Sequence, residues 1–289
     1  FVNSHVNAIH EAQVAKYLMS YGMQRVICSA DRVPFIKYLQ RTQTTVVDAF
    51  IGPIVDDYLS EIESGINNGS LHVMTSAGGL VPNYEFCAKD SLLSGPAGGV
   101  VGAIRAGRLA GFNRIISFDM GGTSTDVARF DHEYEYVFEH HVGDAHVVAP
   151  ALSIETIAAG GGSICSVHSG RLKVGPESAG AVPGPACYGT GGPLTLTDIN
   201  LLLGRLNEKH FGIPINRSAA EIRLNELLEK VCDQTSTTPS KEEILEGFIS
   251  IAEARMADAV HRVSLEKGYD PEEYALVAFG GAGGQHACG

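Results

Sequence analysis

A short apolar run that ends in an acidic residue and turns at once through two glycines constrains the fold of this chain more than any other feature. The run and its turn read IISFDMGGTSTDV, from Ile115 to Val127. Glycines in such a turn let the backbone adopt positive φ, so two strands can reverse tightly. The pattern predicts a β-hairpin, with one strand over Arg114 to Asp119 and a second over Ser124 to Phe130.

The turn of this hairpin has the residue types of a phosphate site. Backbone N–H groups at Gly121 and Gly122 can converge on an anion. The hydroxyls of Thr123 and Ser124 can donate hydrogen bonds to phosphate oxygens. An acid beside phosphates would repel them unless it held Mg²⁺, which keeps several waters and shares phosphate oxygens. We therefore predict that Asp119 holds Mg²⁺ through water and is catalytic.

The second acid of the hairpin, Asp126, has two interpretations. It stabilises the hairpin, or it contributes to the electrostatics of the phosphate site, and we count it as a second catalytic candidate. The whole motif also has a plainer interpretation, an ordinary glycine hairpin with a hydrogen-bonding aspartate. A helix of small residues before it, Gly95 to Leu109, and a glycine turn after it, Gly280 to Gly284, favour the phosphate site.

Other phosphate-binding patterns fit the chain less well. No G-x-x-x-x-G-K-[ST] pattern occurs, which excludes a P-loop. The turn at Gly280 follows a predicted strand, Tyr274 to Phe279, but does not match the dinucleotide pattern G-x-G-x-x-G. A long helix is predicted from Ser240 to Lys267, beginning with a capping box of Ser240 and Glu243.

Three further segments carry local predictions. An apolar run over Arg25 to Ser29 predicts a short strand, and apolar spacing over Val46 to Ile62 predicts a helix. The glycine- and proline-rich stretch from Gly175 to Pro193 predicts a long irregular segment, of the kind that often carries function.

Composition disfavours several classes of partner. The formal net charge of −12 argues against nucleic acid and anionic membranes, since neither polyanion would be attracted. No apolar run approaches the length needed to span a bilayer. The six cysteines include no C-x-x-C pair, which predicts reduced thiols in a cytoplasmic protein.

The order of these elements resembles the second half of the actin-like ATPases, the superfamily of actin, heat-shock chaperones and sugar kinases. The likeness rests on the small-residue helix, the strand–acid–Gly-Gly-Thr hairpin, the long helix and the late strand with its glycine turn. It implies an α/β fold of actin-like (ribonuclease H-like) ATPase lobes, with a nucleotide cleft between them. Residues 1–112 would be the remainder of the first lobe with the interlobe helix, and residues 113–289 the second lobe. The residues against the adenosine would be Gly280, Gly281, Ala282 and Gly283.

Six sequence blocks narrow the likeness, and they are similar to the hydantoinase A/5-oxoprolinase family. They span most of the chain from Thr45 onward and are together far more specific than any single motif. The last residues, FGGAGGQHAC from Phe279, look closest to the 5-oxoprolinase type. The blocks are SGPAGGV from Ser94, FDMGGTSTD from Phe118, AAGGGS from Ala158, VGPESAGA from Val174, PGPACY from Pro183 and TLTD from Thr195.

The family resemblance implies ATP, Mg²⁺ and a small cyclic amide, either 5-oxoproline or a hydantoin. The implied chemistry is phosphorylation of the amide oxygen, which makes the ring carbon electrophilic, followed by hydrolysis. A partner is implied as well, a second subunit or a C-terminal domain of the hydantoinase B type. Actin-like ATPases grip phosphates with a hairpin in each lobe, and only one D-x-G-G-T pattern occurs here. We therefore expect an excised central domain, inactive alone, with the other hairpin upstream of Phe1.

Two other functions stay open on the sequence. The first is the ATP-using subunit of an acetone- or acetophenone-type carboxylase, which shares this family. The second is a non-enzymatic actin-like ATP switch, such as a chaperone or filament module. The six blocks argue against the switch, because they have no counterpart in those proteins.

Several polar residues have structural interpretations that outweigh chemical ones. Asp198 is typical of a helix N-cap, and His286 is expected near the N-terminus of a helix that follows the late glycine turn. A histidine-rich segment matches no standard metal spacing and predicts a solvated hairpin. Its members are His140, His141, Asp144 and His146.

Overall fold

The computed structural model describes residues 1–142, 144–235 and 238–289, with helices and strands interspersed along the chain. The α-helices are α1 (Ile9–Ser20), α2 (Ser29–Arg32), α3 (Tyr38–Ser64), α4 (Ser94–Leu109), α5 (Leu196–Leu202), α6 (Arg217–Gln234) and α7 (Lys241–Val263). The strands are β1 (His72–Met74), β2 (Leu80–Pro82), β3 (Arg114–Met120), β4 (Thr125–Asp131), β5 (Glu133–Tyr134), β6 (Tyr136–Val142), β7 (Ala145–Leu152), β8 (Glu155–Ile157), β9 (Ser163–His168), β10 (Arg171–Ser178) and β11 (Ala275–Phe279).

The chain folds into two compact units. The first contains residues 1–101 and 134–153, and the second contains residues 102–133 and 154–289. These units do not coincide with the boundary expected at 112/113, because a segment from the middle of the chain packs into the first unit. The assignment of the units to ATPase lobes stays a prediction.

The first unit joins a β-hairpin to a long helix. Strands β6 and β7 pair antiparallel, and the Val148 N–H of β7 donates a hydrogen bond at 2.8 Å to Thr44 Oγ1 of α3. Thr44 is fully buried, so this contact lies in the interior of the unit. It is one of the contacts that join residues 134–153 to α3 within the first unit.

One predicted strand of the first unit is wrong. The run from Arg25 to Ser29 forms no strand and leads instead into the helical turn α2. Glu11 caps this turn, because its carboxylate accepts hydrogen bonds from Ser29 Oγ at 2.6 Å and Ala30 N at 2.9 Å. Burial raises the pKa of Glu11, but these hydrogen bonds outweigh it and lower the pKa to about 2. The helix predicted over Val46 to Ile62 is confirmed within the longer α3.

The second unit is built on a mixed sheet in which β3 lies between β11 and β4. Strands β3 and β4 form the predicted hairpin and pair antiparallel, with Asp119 opposite Asp126. Strand β11 runs parallel to β3, with Phe279 beside Asp119, and β8 pairs with the other edge of β4. Because β3 and β11 are parallel, their carboxyl ends meet at one edge of the sheet, where open α/β sheets commonly bind ligands.

Helix α7 supplies much of the core of the second unit. Its buried residues Phe248, Met256 and Ala259 belong to one apolar cluster with Phe118 and Met120 of β3. Burial of this stripe, at about 25 cal/mol per Å² of apolar surface, fixes the helix on the sheet. Within the described residues no helix, α7 included, is both long and apolar enough to cross a membrane.

The predicted start of α7 is confirmed, and its end differs from the prediction. Ser240 Oγ accepts from Glu243 N at 3.2 Å, and the Glu243 carboxylate accepts from Ser240 N at 2.8 Å, which completes the capping box. The helix stops at Val263 rather than Lys267. The chain tightens there into a 3-10 turn and leaves it at Gly268, whose φ of 84° suits glycine.

The glycine- and proline-rich stretch is irregular over only part of its predicted length. Strand β10 continues to Ser178 and pairs with β9, with a shift of register after Val174. The remainder up to Pro193 consists of turns and one short 3-10 segment. The pairing was hidden in the sequence because Gly175 and Pro176 interrupt the alternating pattern of β10.

Candidate functional site

Two glycine turns meet at the carboxyl ends of β3 and β11. The first is the hairpin turn, closed by a hydrogen bond from Gly121 N to Ser124 O at 3.0 Å. The second follows β11, where Gly280 has a φ of 84° and the Ala282 N–H donates to Met120 O at 2.9 Å. The segments predicted to bind phosphate and adenosine are therefore hydrogen-bonded neighbours within one unit.

A third turn, of consecutive glycines beginning at Gly160, packs against the hairpin turn. Gly161 N donates to Gly121 O at 3.0 Å. A Cβ on Gly160 would lie 2.7 Å from backbone atoms of Gly122 and Thr123, closer than real Cβ atoms approach. The absence of a side chain is therefore what lets the two backbones lie this close.

The tip of the hairpin turn has backbone N–H donors without an acceptor among the described residues. Gly122 and Thr123 are exposed, and in the part of the chain that the structure describes no backbone acceptor takes their N–H groups. Gly281 of the second turn is also exposed. Free N–H groups on successive residues of a turn are suited to bind an anion such as phosphate.

The two hairpin acids form a like-charge pair. Asp119 and Asp126 are directly opposed across the strands, so their side chains share one face of the sheet. Burial raises the pKa of Asp119, and the charge of Asp126 raises it further. Thr156 holds the second acid, since its Oγ1 donates to Asp126 Oδ1 at 2.5 Å. A cation bound at this pair would relieve the repulsion.

Substitution of Asp126 by Asn is expected to lower the pKa of Asp119 towards its ordinary value. The neutral amide removes the neighbouring charge and keeps an oxygen for the Thr156 hydroxyl, so the hairpin is retained. Titration of the Asp119 carboxyl carbon by NMR measures the effect. Asp131→Asn, at the far end of β4, is the matched control and should leave the titration unchanged. An unchanged pKa in Asp126→Asn would show that the two acids do not interact.

The residues around Asp119 fit a Mg²⁺ that is bound together with phosphates. Within the described residues no group of three or more His, Cys, Asp or Glu side chains is placed to hold a metal ion. Mg²⁺ needs no such group, because one or two carboxylates commonly hold it along with waters and phosphates. The lack of a side chain at Gly280 lets the Asp119 carboxylate lie against that backbone, since a Cβ there would collide with Asp119 Oδ1.

The histidine-rich segment belongs to the other unit and forms the β6–β7 hairpin. The rings of His141 and His146 stack with centroids 4.8 Å apart, and His146 Nε2 lies 3.0 Å from Glu139 Oε2. Burial lowers the pKa of His140. These contacts form a polar hairpin, which is less solvated than predicted because both ring nitrogens of His140 are buried.

Two structural interpretations from the sequence need correction. Asp198 is not the N-cap of α5, which is Thr195, but the third helical residue of a capping box. Its fully buried carboxylate also accepts from Ala186 N at 3.1 Å and Cys187 N at 2.7 Å. His286 does not open a helix. It follows a short 3-10 turn and is buried.

The sequence did not single out the third turn as part of this cluster. Its consecutive glycines were equally compatible with a backbone that approaches a ligand and with an ordinary tight turn, and the residues that they approach are distant in sequence. The same holds for Thr197, whose N–H and Oγ1 both donate to Gly161 O at 2.8 Å. The signal available was the run of three glycines beginning at Gly160, which commonly marks a close approach of two backbones.

Comparison with known proteins gives matches along the chain. Residues 41–289 match the hydantoinase/oxoprolinase family. The chain is 43% identical to 5-oxoprolinase PfmaA of Pestalotiopsis fici over 299 aligned residues. The alignment covers 100% of this chain and 23% of that protein. The chain thus spans about a quarter of the length of this relative.

Two solved structures share the fold. Caprolactamase from Pseudomonas jessenii, an ATP-dependent enzyme, is 32% identical with a TM-score of 0.82, over 99% of this chain and 42% of that one. The nucleotide-free structure of acetone carboxylase, an enzyme of ATP-dependent acetone carboxylation, is 26% identical with a TM-score of 0.82. That superposition covers 99% of this chain and 42% of the carboxylase chain. These likenesses confirm the predicted α/β fold of the actin-like ATPase kind.

Proposed function

The chain belongs to the hydantoinase/oxoprolinase family, and we propose that it is the nucleotide-binding part of an enzyme that uses ATP to hydrolyse a cyclic amide. The observation that carries this proposal is the meeting of the glycine turns at one sheet edge. The N–H groups of Gly122 and Thr123 would bind phosphate oxygens, with the hydroxyls of Thr123 and Ser124 as further donors. The turn over Gly280, Gly281, Ala282 and Gly283 would lie against the adenosine.

The acids of the hairpin have distinct roles in this proposal. Asp119 would hold Mg²⁺ through water, and Asp126 would add negative charge that favours the ion. When bound, Mg²⁺ neutralises charge on the phosphates that develops during phosphoryl transfer. Asp119 is placed for this because it lies one residue before the end of β3 and the hairpin turn, and its carboxylate packs against Gly280. Positioning of this kind accounts for most of the catalysis in phosphoryl transfer.

The substrate class follows from the relatives and from amide chemistry. A lactam is stabilised by resonance, so water attacks its carbonyl carbon slowly. Transfer of the terminal phosphoryl group of ATP to the amide oxygen makes that carbon electrophilic, so that water adds to it. The ring C–N bond then breaks with the ring nitrogen leaving as the protonated amine, and a second water releases the phosphoryl group from the new carboxyl as inorganic phosphate. Because PfmaA is a 5-oxoprolinase, we propose 5-oxoproline as the substrate, with a hydantoin next. A domain or subunit of the hydantoinase B type would complete the hydrolysis.

Phosphate release by the full-length protein tests the proposal. We expect that ATP turnover in the presence of Mg²⁺ rises several-fold on addition of 5-oxoproline, with glutamate as the product. Proline, which has the ring and carboxylate but no lactam carbonyl, is the matched control and should not stimulate. Protein that binds ATP but responds to no cyclic amide would contradict the proposed substrate class.

A carboxylase subunit is the second candidate, and one observation favours it. Acetone carboxylase superimposes on this chain as well as caprolactamase does, with the same TM-score of 0.82. The two functions differ in the compound that stimulates phosphate release. Stimulation by acetone with bicarbonate, and none by 5-oxoproline, would assign the chain to a carboxylase.

A further inference from the structure

The glycine turn after β11 ends at a buried histidine that phosphate binding does not use. The His286 side chain has no exposed surface, and its backbone N–H donates to Gly283 O at 3.4 Å. Its Nε2 lies 3.0 Å from Asn200 Nδ2 of α5, and its Nδ1 lies 3.5 Å from Glu253 Oε1 of α7. His286 therefore connects the turn to two helices.

The chemistry of the Asn200 amide indicates the state of the ring. Because an amide nitrogen only donates, His286 Nε2 accepts from Asn200 Nδ2, and Nδ1 faces Glu253 without a hydrogen bond among the described residues. Burial lowers the pKa of His286, the charge of Glu253 opposes this, and Arg205 lowers it further. The neutral ring is the form that can accept. Among the described residues Asn200 Oδ1 has no donor, so His286 is the polar partner of this buried amide.

Helix α5 connects His286 to the phosphate hairpin, because Asn200 of this helix contacts His286 and its first turn contacts the glycine turn beside the hairpin. At the start of that helix, Thr197 N and Oγ1 donate to Gly161 O at 2.8 Å. Gly161 N in turn donates to Gly121 O of the hairpin turn at 3.0 Å. The hydrogen bond from Ala282 N, in the turn after β11, to Met120 O at the end of β3 completes the circuit. A continuous circuit of contacts therefore joins the two turns by a second route.

We propose that His286 is a positioning residue that sets the distance between the hairpin turn and the turn after β11, acting through Asn200 and α5. The inference rests on the proposed function, in which both turns grip one nucleotide. Loss of the ring acceptor leaves the Asn200 amide buried without a partner, an arrangement that costs free energy. Helix α5 then shifts to relieve it and carries Thr197 and Gly161 with it.

Hydrogen exchange in the full-length protein is the first measurement. In His286→Phe, which keeps the ring volume, we expect the hydrogen-bonded amides of Gly121 and residues 160–162 to exchange about tenfold faster. Asn200→Leu should do the same, and the double variant should be no worse than either single one, because the two residues act as a pair. His286→Gln retains an acceptor and should restore slow exchange. His261→Phe, at an exposed histidine of α7, is the matched control.

Nucleotide affinity is the second measurement and separates this inference from the proposed function. The dissociation constant for Mg·ADP is expected to rise about tenfold in His286→Phe and to be unchanged in the control. Faster exchange confined to residues 283–289 would make His286 a local packing residue and overturn the inference. Absence of nucleotide binding by the wild-type protein would refute the proposed function, while the exchange pattern would still decide whether His286 couples the two turns.

Discussion

Asp119→Asn in the full-length protein is expected to reduce ATP hydrolysis at least about 100-fold, because it removes the carboxylate placed to hold Mg²⁺ beside the hairpin turn. The amide has the size of the acid, so the turn and its N–H groups stay in place. Nucleotide binding without Mg²⁺ should change little. Phosphate release and nucleotide titration, each with and without Mg²⁺, measure the two effects.

The same substitution should leave the nucleotide-free protein at least as stable as the wild type at pH 7. The pKa of Asp119 is raised above its ordinary 3.8 in the folded state, so the folded protein holds this proton more tightly than the unfolded one. The stability gained is present below pH 3.8 and lost as the pH rises through the raised pKa. At pH 7 the ionised acid therefore opposes folding. Melting temperatures at pH 7 and pH 4 should show the advantage of Asp119→Asn shrinking in acid.

Asp131→Asn is a matched control on the same hairpin, and its expected effects on stability and on ATP turnover are the reverse of those of Asp119→Asn. Asp131 accepts a hydrogen bond from Tyr274 Oη at 2.9 Å and lies 3.4 Å from Arg114 Nε, so the control should lose stability and keep ATP turnover. Loss of stability with turnover intact in Asp119→Asn itself would make Asp119 a structural cap of the hairpin, and the proposed site would be wrong.

The parts of the fold that the sequence predicted are those fixed by neighbouring residues. The hairpin from Arg114 to Asp131 needs only a short apolar run and a glycine turn, and it forms within one residue of the predicted strand bounds. The capping box of Ser240 and Glu243 is likewise local and forms as expected. In such places the chemistry that specifies the element lies within a few residues, so a single sequence is enough.

The parts that could not be predicted depend on contacts between distant residues. An apolar run at Arg25 looks like a strand until Glu11 is known to cap the turn that follows it. Residues 134–153 join the first unit through contacts with residues distant in sequence, such as those of Val148 with Thr44 and Leu152 with Ser76. Nothing in the local pattern of either segment carries that information.

The candidate site divides in the same way. Asp119 and the glycine turns were found because their residue types are unusual for strand ends. The third turn and α5 join them only through tertiary hydrogen bonds, such as that from Thr197 to Gly161. Each of these segments has a common local sequence pattern, and its role depends on its distance from the others. Such a site can be recognised only from the folded structure. His286 belongs to this class, since its sequence neighbours predicted a helix start and its contacts make it a link.

The second large effect is expected from Gly160→Ala, which should lower the free energy of unfolding by about 3 kcal/mol. The added Cβ would lie 2.7 Å from the backbone of Gly122 and Thr123. Backbone atoms cannot rotate away as a side chain can, so the whole hairpin turn must move. For a unit of this size the melting temperature should fall by roughly 10 °C, and nucleotide binding should be lost together with it, because the displaced turn holds the free N–H groups.

A graded series makes the cause of this loss testable. A Cβ on Gly161 would meet Thr197 Oγ1 at 2.8 Å, a side-chain atom that can rotate away, so Gly161→Ala should cost less than Gly160→Ala. A Cβ on Gly102, within α4, meets nothing within 4 Å, so Gly102→Ala should be neutral or stabilising by up to about 1 kcal/mol. Calorimetry of the three variants ranks them. Equal losses at Gly160 and Gly102 would mean that flexibility, rather than the close approach of two backbones, is what the glycine provides, and the packed cluster of turns would lose its role in holding the phosphate hairpin.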